Sequence, residues 1–172
     1  MLKKLFGLDK KEASPIQPKE EMVHAPLTGK LVPIEDVPDP TFSQKMMGDG
    51  FAIDPADGTV LAPVSGEIVQ VFPTKHAVGI KTAGGAEVLI HIGLETVTMD
   101  GEGFKAHVKE GDQVRVGDLL VEFDLNLVKE KAASALTPVI ITNQDQLDSV
   151  IKEPATDTVA GETLLLTIRH SK

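Results

Sequence analysis

The residues of this chain best suited to chemistry are two histidines, His76 and His91. With no cysteine anywhere in the sequence, thiol nucleophiles, thiolate metal sites and disulfides are excluded together. An imidazole pair suits two tasks, forming a phosphohistidine or binding a metal, and both use an unprotonated ring nitrogen. A phosphoryl group asks for a nucleophilic nitrogen, a donor to meet the added charge, and open access for the molecules that deliver and remove it. His91, His76 and Gly93 fit those three roles. Thr74, two residues before His76, shares its strand parity and is placed to hydrogen-bond the second imidazole and fix its orientation.

Positioning the two rings falls to a hairpin. Between Pro73 and Leu94, two β-like runs flank Gly84-Gly85, a hairpin signal. If the two glycines form a two-residue loop, Ala83 faces Ala86, Val78 faces His91 and His76 faces Gly93, so both imidazoles project from one face as diagonal neighbours. The geometry requires an even-numbered loop, because a one-residue slip turns the side chains of one strand over. Within Leu89-Ile90-His91-Ile92-Gly93, Ile90 and Ile92 point toward a core and Leu89, His91 and Gly93 point away from it. The bare glycine is expected to give another molecule close access to the His91 ring.

The remaining sequence indicates what holds this hairpin. A chain of 172 residues with six Phe and no Tyr or Trp must build its core from Val, Ile and Leu, which favours strands. Short runs of these residues, punctuated by Pro and Gly, continue from Val23 to the end. The segment Ala25-Pro26-Leu27-Thr28-Gly29-Lys30-Leu31-Val32 returns as Ala62-Pro63-Val64-Ser65-Gly66-Glu67-Ile68-Val69, and Gly117-Asp118-Leu119-Leu120-Val121 returns as Gly161-Glu162-Thr163-Leu164-Leu165. Each strand-turn-strand unit therefore occurs twice. The expected fold is all-β: a duplicated-motif β-sandwich or barrel of short antiparallel strands with one or two short surface helices. Helical spacing marks Leu125 to Leu136 and, over a shorter stretch, Gln144 to Ile151.

Residues 1–18 read as a flexible N-terminal tail and 19–172 as one domain. Leu2, Leu5 and Phe6 lie along one side of a helical projection while Lys3, Lys4, Lys10 and Lys11 supply positive charge, which suggests weak contact with a membrane surface. No apolar run reaches the roughly 20 residues of a membrane-spanning helix, so the expected location is cytoplasmic. A net charge of −9 and few aromatic side chains argue against a nucleic-acid partner.

The run from Thr74 to Gly103 resembles the glucose-type enzyme IIA family of the bacterial sugar phosphotransferase system. It contains His76, the Leu-Ile-His-Ile-Gly segment around His91, Thr96-Val97 and Gly101-Glu102-Gly103 followed by Phe104. Ala25 to Gly29, Ile34 to Asp39, Gly48-Asp49-Gly50, Glu122 to Leu125 and Leu136 to Val139 follow the same family in order. The resemblance implies a phosphohistidine at His91 supported by His76 and Thr74. It implies a donor, the small histidine-containing phosphocarrier protein, and an acceptor, a cysteine on the IIB domain of a sugar permease. No cofactor is required, although in related proteins the two histidines also take up zinc with a partner's carboxylate. Regulatory targets are a further expected class of partner. An apolar rim of Phe42, Met46, Met47, Phe72, Leu89 and Val97, with Val78, Gly93 and Gly101 close by, is the expected docking surface.

Three other readings fit less well. Val108 to Glu122 resembles the strand-turn pattern of biotin and lipoyl carriers, but no lysine sits at a hairpin tip beside Met. A zinc peptidase needs a third ligand and a general base, yet neither His-x-His nor HExxH occurs. A zinc-binding regulatory or adaptor domain of the same fold is the main alternative function.

Overall fold

The computed structural model describes residues 18–170, so the expected tail, apart from Pro18, lies outside the described residues. Short strands dominate. The first half of the chain forms β1 (Glu20–His24), β2 (Gly29–Pro33), β3 (Asp49–Pro55), β4 (Thr59–Leu61), β5 (Gly66–Val71), β6 (Ala77–Lys81) and β7 (Glu87–His91). The second half forms β8 (Phe104–Ala106), β9 (Gln113–Val114), β10 (Leu119–Phe123), β11 (Thr137–Ile141), β12 (Ser149–Lys152), β13 (Asp157–Thr158) and β14 (Leu164–Arg169). All strand pairings are antiparallel. No helix among the described residues is long and apolar enough to cross a membrane.

The sheet order shows how the two sequence repeats are used. The large sheet runs β13-β2-β3-β11-β7-β6-β5-β9, and two three-stranded sheets run β1-β14-β12 and β4-β10-β8. One unit is β4 through β10; the other is β1 to β3 completed by β11 to β14. Equivalent backbone bonds occur in both: Gly161 N donates to Ala25 O at 2.7 Å and Gly117 N to Ala62 O at 3.0 Å. The units also exchange bonds, His24 N to Pro63 O at 2.8 Å and Leu61 N to Pro26 O at 2.9 Å. At matching places in the repeats, a Cβ on Gly29 would lie 2.1 Å from the carbonyl oxygen of Asp54, and one on Gly66 2.3 Å from that of Lys81. The repeated glycine thus marks a close approach of two strands.

The main core is aliphatic, as the composition requires, and it buries Ile53, Ile68, Ile80, Ile90, Ile92 and Leu120 completely. A second apolar cluster lies apart from it and joins Leu89, Ala77, Ala52 and Ile140 of the large sheet to Ile34, Val37 and Phe42. The latter three belong to the excursion between β2 and β3, which contains the single-turn helix α1 (Pro40–Ser43). So short a helix is unstable alone. The Asp39 side chain caps it by accepting from Thr41 N at 2.9 Å, worth about 1 kcal/mol. Burial of Phe42 to 3% exposure adds about 1.5–3 kcal/mol.

Both expected helices need correction. The Leu125-to-Leu136 pattern yields α2 (Leu125–Lys131), capped by Asp124. It stops there because Ala133 and Ser134 pair with Leu94 across an isolated bridge. Gln144 to Ile151 is a 3₁₀ turn followed by β12, whose pairing with β14 overrides a weak helical periodicity.

Candidate functional site

The site grows from the ends of β6 and β7, and the hairpin between them corrects the expected register. Ala77 faces His91 and Val78 faces Ile90, one residue away from the two-glycine prediction. Thr82 N donates to Ala86 O at 2.9 Å and Gly85 N to Thr82 O at 3.0 Å, with Gly85 at φ 96°. The loop is therefore Ala83-Gly84-Gly85, a three-residue loop with its left-handed glycine last. On strand parity alone the two histidines would now face opposite ways.

They meet because His76 lies outside β6. The β5–β6 turn runs through Pro73, Thr74 and Lys75, with Lys75 N donating to Phe72 O at 2.7 Å and Lys75 in the left-handed region at φ 63°. That conformation breaks the alternation just before His76. The backbone of His76 still accepts from Ile92 N at 2.6 Å, while its ring sits edge-on to that of His91, with centroids 4.9 Å apart at 79°. Among the described residues the non-glycine left-handed positions are Lys45, Lys75, Glu95 and Asp100. Lys75 lies in the turn that delivers His76, Glu95 and Asp100 bound the 3₁₀ turn after His91, and Lys45 follows α1, whose Phe42 packs on His91; strain of this kind is tolerated when packing holds it in place.

Each ring is fixed at one nitrogen. His91 Nδ1 lies 2.8 Å from the carbonyl oxygen of Gly93; a carbonyl only accepts, so Nδ1 carries the hydrogen and Nε2 keeps the lone pair. Thr74 Oγ1 lies 2.5 Å from His76 Nδ1. Phe42 packs on His91 with ring centroids 5.0 Å apart, and Phe72 stands edge-on to His76 at 5.2 Å. Burial, reinforced by the nearby His91, lowers the His76 pKa to about 4. Burial also lowers that of His91, opposed by the Gly93 carbonyl and by the charge of Asp39.

The glycine of the motif has a different use from the one expected. Gly93 is buried at φ 73°, and a Cβ there would lie 2.6 Å from Thr96 Cγ2 and 2.9 Å from Ser134 O. It opens no path to the ring; it allows a turn whose carbonyl orients His91. Gly101 packs over the Thr74 backbone, where a Cβ would lie 3.7 Å from Thr74 O. Of the expected rim, Met46, Met47 and Val97 are exposed, at 71%, 38% and 56%, whereas Phe42 is buried in the second cluster against His91 and is not docking surface. Phe72 is half-buried. With Met47, Val69 and Leu89 it lines a depression of about 260 Å³ on the outer sheet face. Leu89, 6% exposed, is its floor. Val78 faces the main core at 1% exposure and does not belong to a surface.

Sequence reasoning missed Asp39 as a site residue. The available signal was the helix-start pattern Asp39-Pro40-Thr41, which marks a cap and leaves its proximity to His91 to the tertiary fold. For a metal, the two imidazoles supply half of a tetrahedral zinc shell. Among the described residues no group of three or more His, Cys, Asp or Glu side chains completes one.

This duplicated sandwich, with one imidazole at the end of β7 and the other just before β6, belongs to a defined class. Residues 21–147 match the model of the family described as phosphoenolpyruvate-dependent sugar phosphotransferase system, EIIA 1, and the chain belongs to that family. Within it, the similarity is to glucose-type members. The chain is 72% identical over 170 residues to the PTS system glucose-specific EIIA component of Halalkalibacterium halodurans, covering 98% of each chain. It is 53% identical over 168 residues to the component of the same name from Bacillus anthracis, again covering 98% of each. Among solved structures, glucose permease IIA from Mycoplasma capricolum aligns with a TM-score of 0.79 at 39% identity, over 90% of this chain and 99% of that one.

Proposed function

We propose that this EIIA component carries a phosphoryl group on His91 Nε2, receiving it from the histidine-containing phosphocarrier protein and passing it to a cysteine on the IIB domain of a glucose-type sugar permease. The observation that carries this reading is the commitment of His91 Nδ1 to the Gly93 carbonyl, which leaves Nε2 as the free nucleophile. In the first step the Nε2 lone pair forms the new N–P bond as the donor's N–P bond breaks, its electron pair returning to the donor imidazole. The His91 ring becomes cationic, and the Gly93 carbonyl stabilises the charge at Nδ1–H. In the second step a thiolate of the acceptor forms the S–P bond, and the pair of the breaking N–P bond returns to Nε2.

His76 meets the phosphoryl group. With the Thr74 hydroxyl donating to Nδ1 of the neutral ring, Nε2–H points toward a phosphoryl oxygen; the anion's arrival favours the imidazolium form that burial otherwise suppresses, in which Nδ1–H donates to the Thr74 hydroxyl instead. The test is direct. Incubation with phosphoenolpyruvate, the first enzyme of the system and the phosphocarrier donor is expected to give acid-labile, base-stable phosphate mapping to His91. Label on any other residue overturns the assignment. Zinc shared between His76, His91 and a partner's carboxylate is a second role for the pair; it would use Nε2 of both rings and the other His76 tautomer, with Nδ1–H donating to the Thr74 hydroxyl. Regulatory proteins that distinguish the phosphorylated surface from the free one are the remaining partners.

A further inference from the structure

The segment that brings Asp39 and Phe42 to His91 ends in an unusual way. After α1, Met46 N donates to Thr41 O at 3.2 Å and Lys45 N to Phe42 O at 3.0 Å, with Lys45 left-handed at φ 59°. This helix termination favours glycine at the Lys45 position, because a Cβ is disfavoured in that backbone conformation. A lysine is strained there, but its side chain makes contacts that glycine cannot. Its Nζ lies 3.0 Å from Glu35 Oε2 and 3.6 Å from Asp49 Oδ2. Glu35 precedes α1 and Asp49 opens β3, so one ammonium joins the two ends of the excursion that carries Asp39, Phe42, Met46 and Met47. Asp49 is itself anchored: Lys152 Nζ lies 2.7 Å from its Oδ1 and 5.3 Å from the centroid of the Phe51 ring. The hydrogen bond to Glu35, then the charge of Asp49, holds the Lys45 ammonium above its ordinary pKa.

We propose that Lys45 is a positioning residue whose ammonium bridges Glu35 and Asp49 and thereby holds the 39–47 segment in the conformation that docks the phosphoryl donor. The inference rests on the phosphocarrier reading above. It separates two properties that normally fall together. Exposed ion pairs add little to overall stability, so K45G relieves backbone strain while removing the bridge: the fold should keep its melting temperature or gain, and docking should weaken.

The experiment compares wild type, K45G and E35Q, the last of which keeps the lysine charge. Four quantities are measured: melting temperature, KM and kcat for transfer from the phosphocarrier donor, and amide exchange of residues 42–47 in the unphosphorylated protein. For K45G we expect faster exchange, KM raised about 2- to 5-fold, on the scale of an exposed ion pair, and kcat little changed. E35Q should move exchange and KM in the same direction. A rise in KM for K45G alone, with E35Q and the exchange rates unchanged, would mean that Lys45 touches the partner directly and would overturn the bridge. Unchanged KM in both variants would do the same. If wild type accepts no phosphate, the phosphocarrier reading fails, and exchange still judges the bridge by itself.

Discussion

The two halves of the large sheet offer the same backbone positions to different ends. Gly29 and Gly66 correspond, each crowded against a carbonyl of the neighbouring strand, which aligns Asp54 with Lys81. The residues one step back, Ile53 and Ile80, face Thr137 and Val88. Following β11 and β7 onward from those partners brings Ile140 to the place of His91. One is a fully buried aliphatic side chain and the other a half-exposed imidazole. The cause is in the connections. Between β5 and β6 the chain turns at once and delivers Thr74 and His76; between β2 and β3 it runs from Ile34 to Gly48, packing Ile34, Val37 and Phe42 against Ile140 and Leu89. Duplication supplies a rigid frame twice, and loops of unequal length turn one copy into a site and the other into its wall.

The sharpest contrast is between the corresponding residues. His91→Ala should reduce phosphoryl acceptance to background with the fold intact, since a methyl group is no nucleophile and the ring is only partly buried. Ile140→Ala should cost about 2–5 kcal/mol of stability through the cavity it leaves and should act on transfer only through unfolding. Denaturant melts and phosphate labelling of both variants decide it; full labelling of His91→Ala would end the assignment. The paired glycines should by contrast behave alike. Gly29→Ala and Gly66→Ala each force a Cβ into a neighbouring strand's carbonyl, and each should destabilise by at least about 1–3 kcal/mol. A large loss in one half and none in the other would break the proposed equivalence of the halves.

His76 tests the functional half more finely. His76→Gln retains a hydrogen-bond donor but cannot become a cation. Acceptance from a neutral imidazole donor should survive, whereas transfer to an anionic thiolate should slow by about 100-fold, within the range of acid–base groups. Equal losses in both half-reactions would count against this division of labour. The same variant has a pH signature. The folded pKa of His76 is lowered from 6.5 to about 4, so between those values the unfolded chain binds more protons and the wild type loses stability as pH falls. Melting temperatures across that window should decline less steeply for His76→Gln. Identical slopes would show that His76 does not titrate as its burial implies.

Much of this was legible in the sequence, for definable reasons. The repeats at Ala25 and Ala62, and at Gly117 and Gly161, indicated the duplicated sandwich because each encodes a turn with a fixed glycine. The histidine pair was found, but by a register argument that fails by one residue: Gly84-Gly85 signals a two-residue loop, and the structure includes Ala83. Contact between the rings depends on the left-handed Lys75, and lysine gives no local sign of that conformation. Asp39 and Phe42 reach His91 through the packing of a long excursion, which periodicity cannot convey. Val78 and Leu89 were misplaced because this sheet is apolar on both faces, covered on one by the main core and on the other by the second cluster, so alternation did not separate surface from interior.

The smallest effects should come from the surface, where the two regions differ in use more than in form. Val97 and Val159 are similarly exposed, at 56% and 48%. Val97 sits in the turn after His91 and Gly93, whereas Val159 follows β13 at the edge of the large sheet. Substituting Asp at either should leave stability within about 0.5 kcal/mol, because neither side chain fills the core. At Val97 the new carboxylate would enter the proposed docking patch, in the turn that follows the proposed phosphoryl acceptor. It adds a desolvation cost and like-charge repulsion on docking, so transfer should slow by roughly 10-fold, equivalent to about 1.4 kcal/mol. At Val159 transfer should be unchanged. Steady-state phosphotransfer and thermal melts on the same samples separate the cases. Equal kinetics for both variants would remove Val97 from the docking surface, and a lowered melting temperature for Val97→Asp would show that its turn supports the fold as well as the encounter.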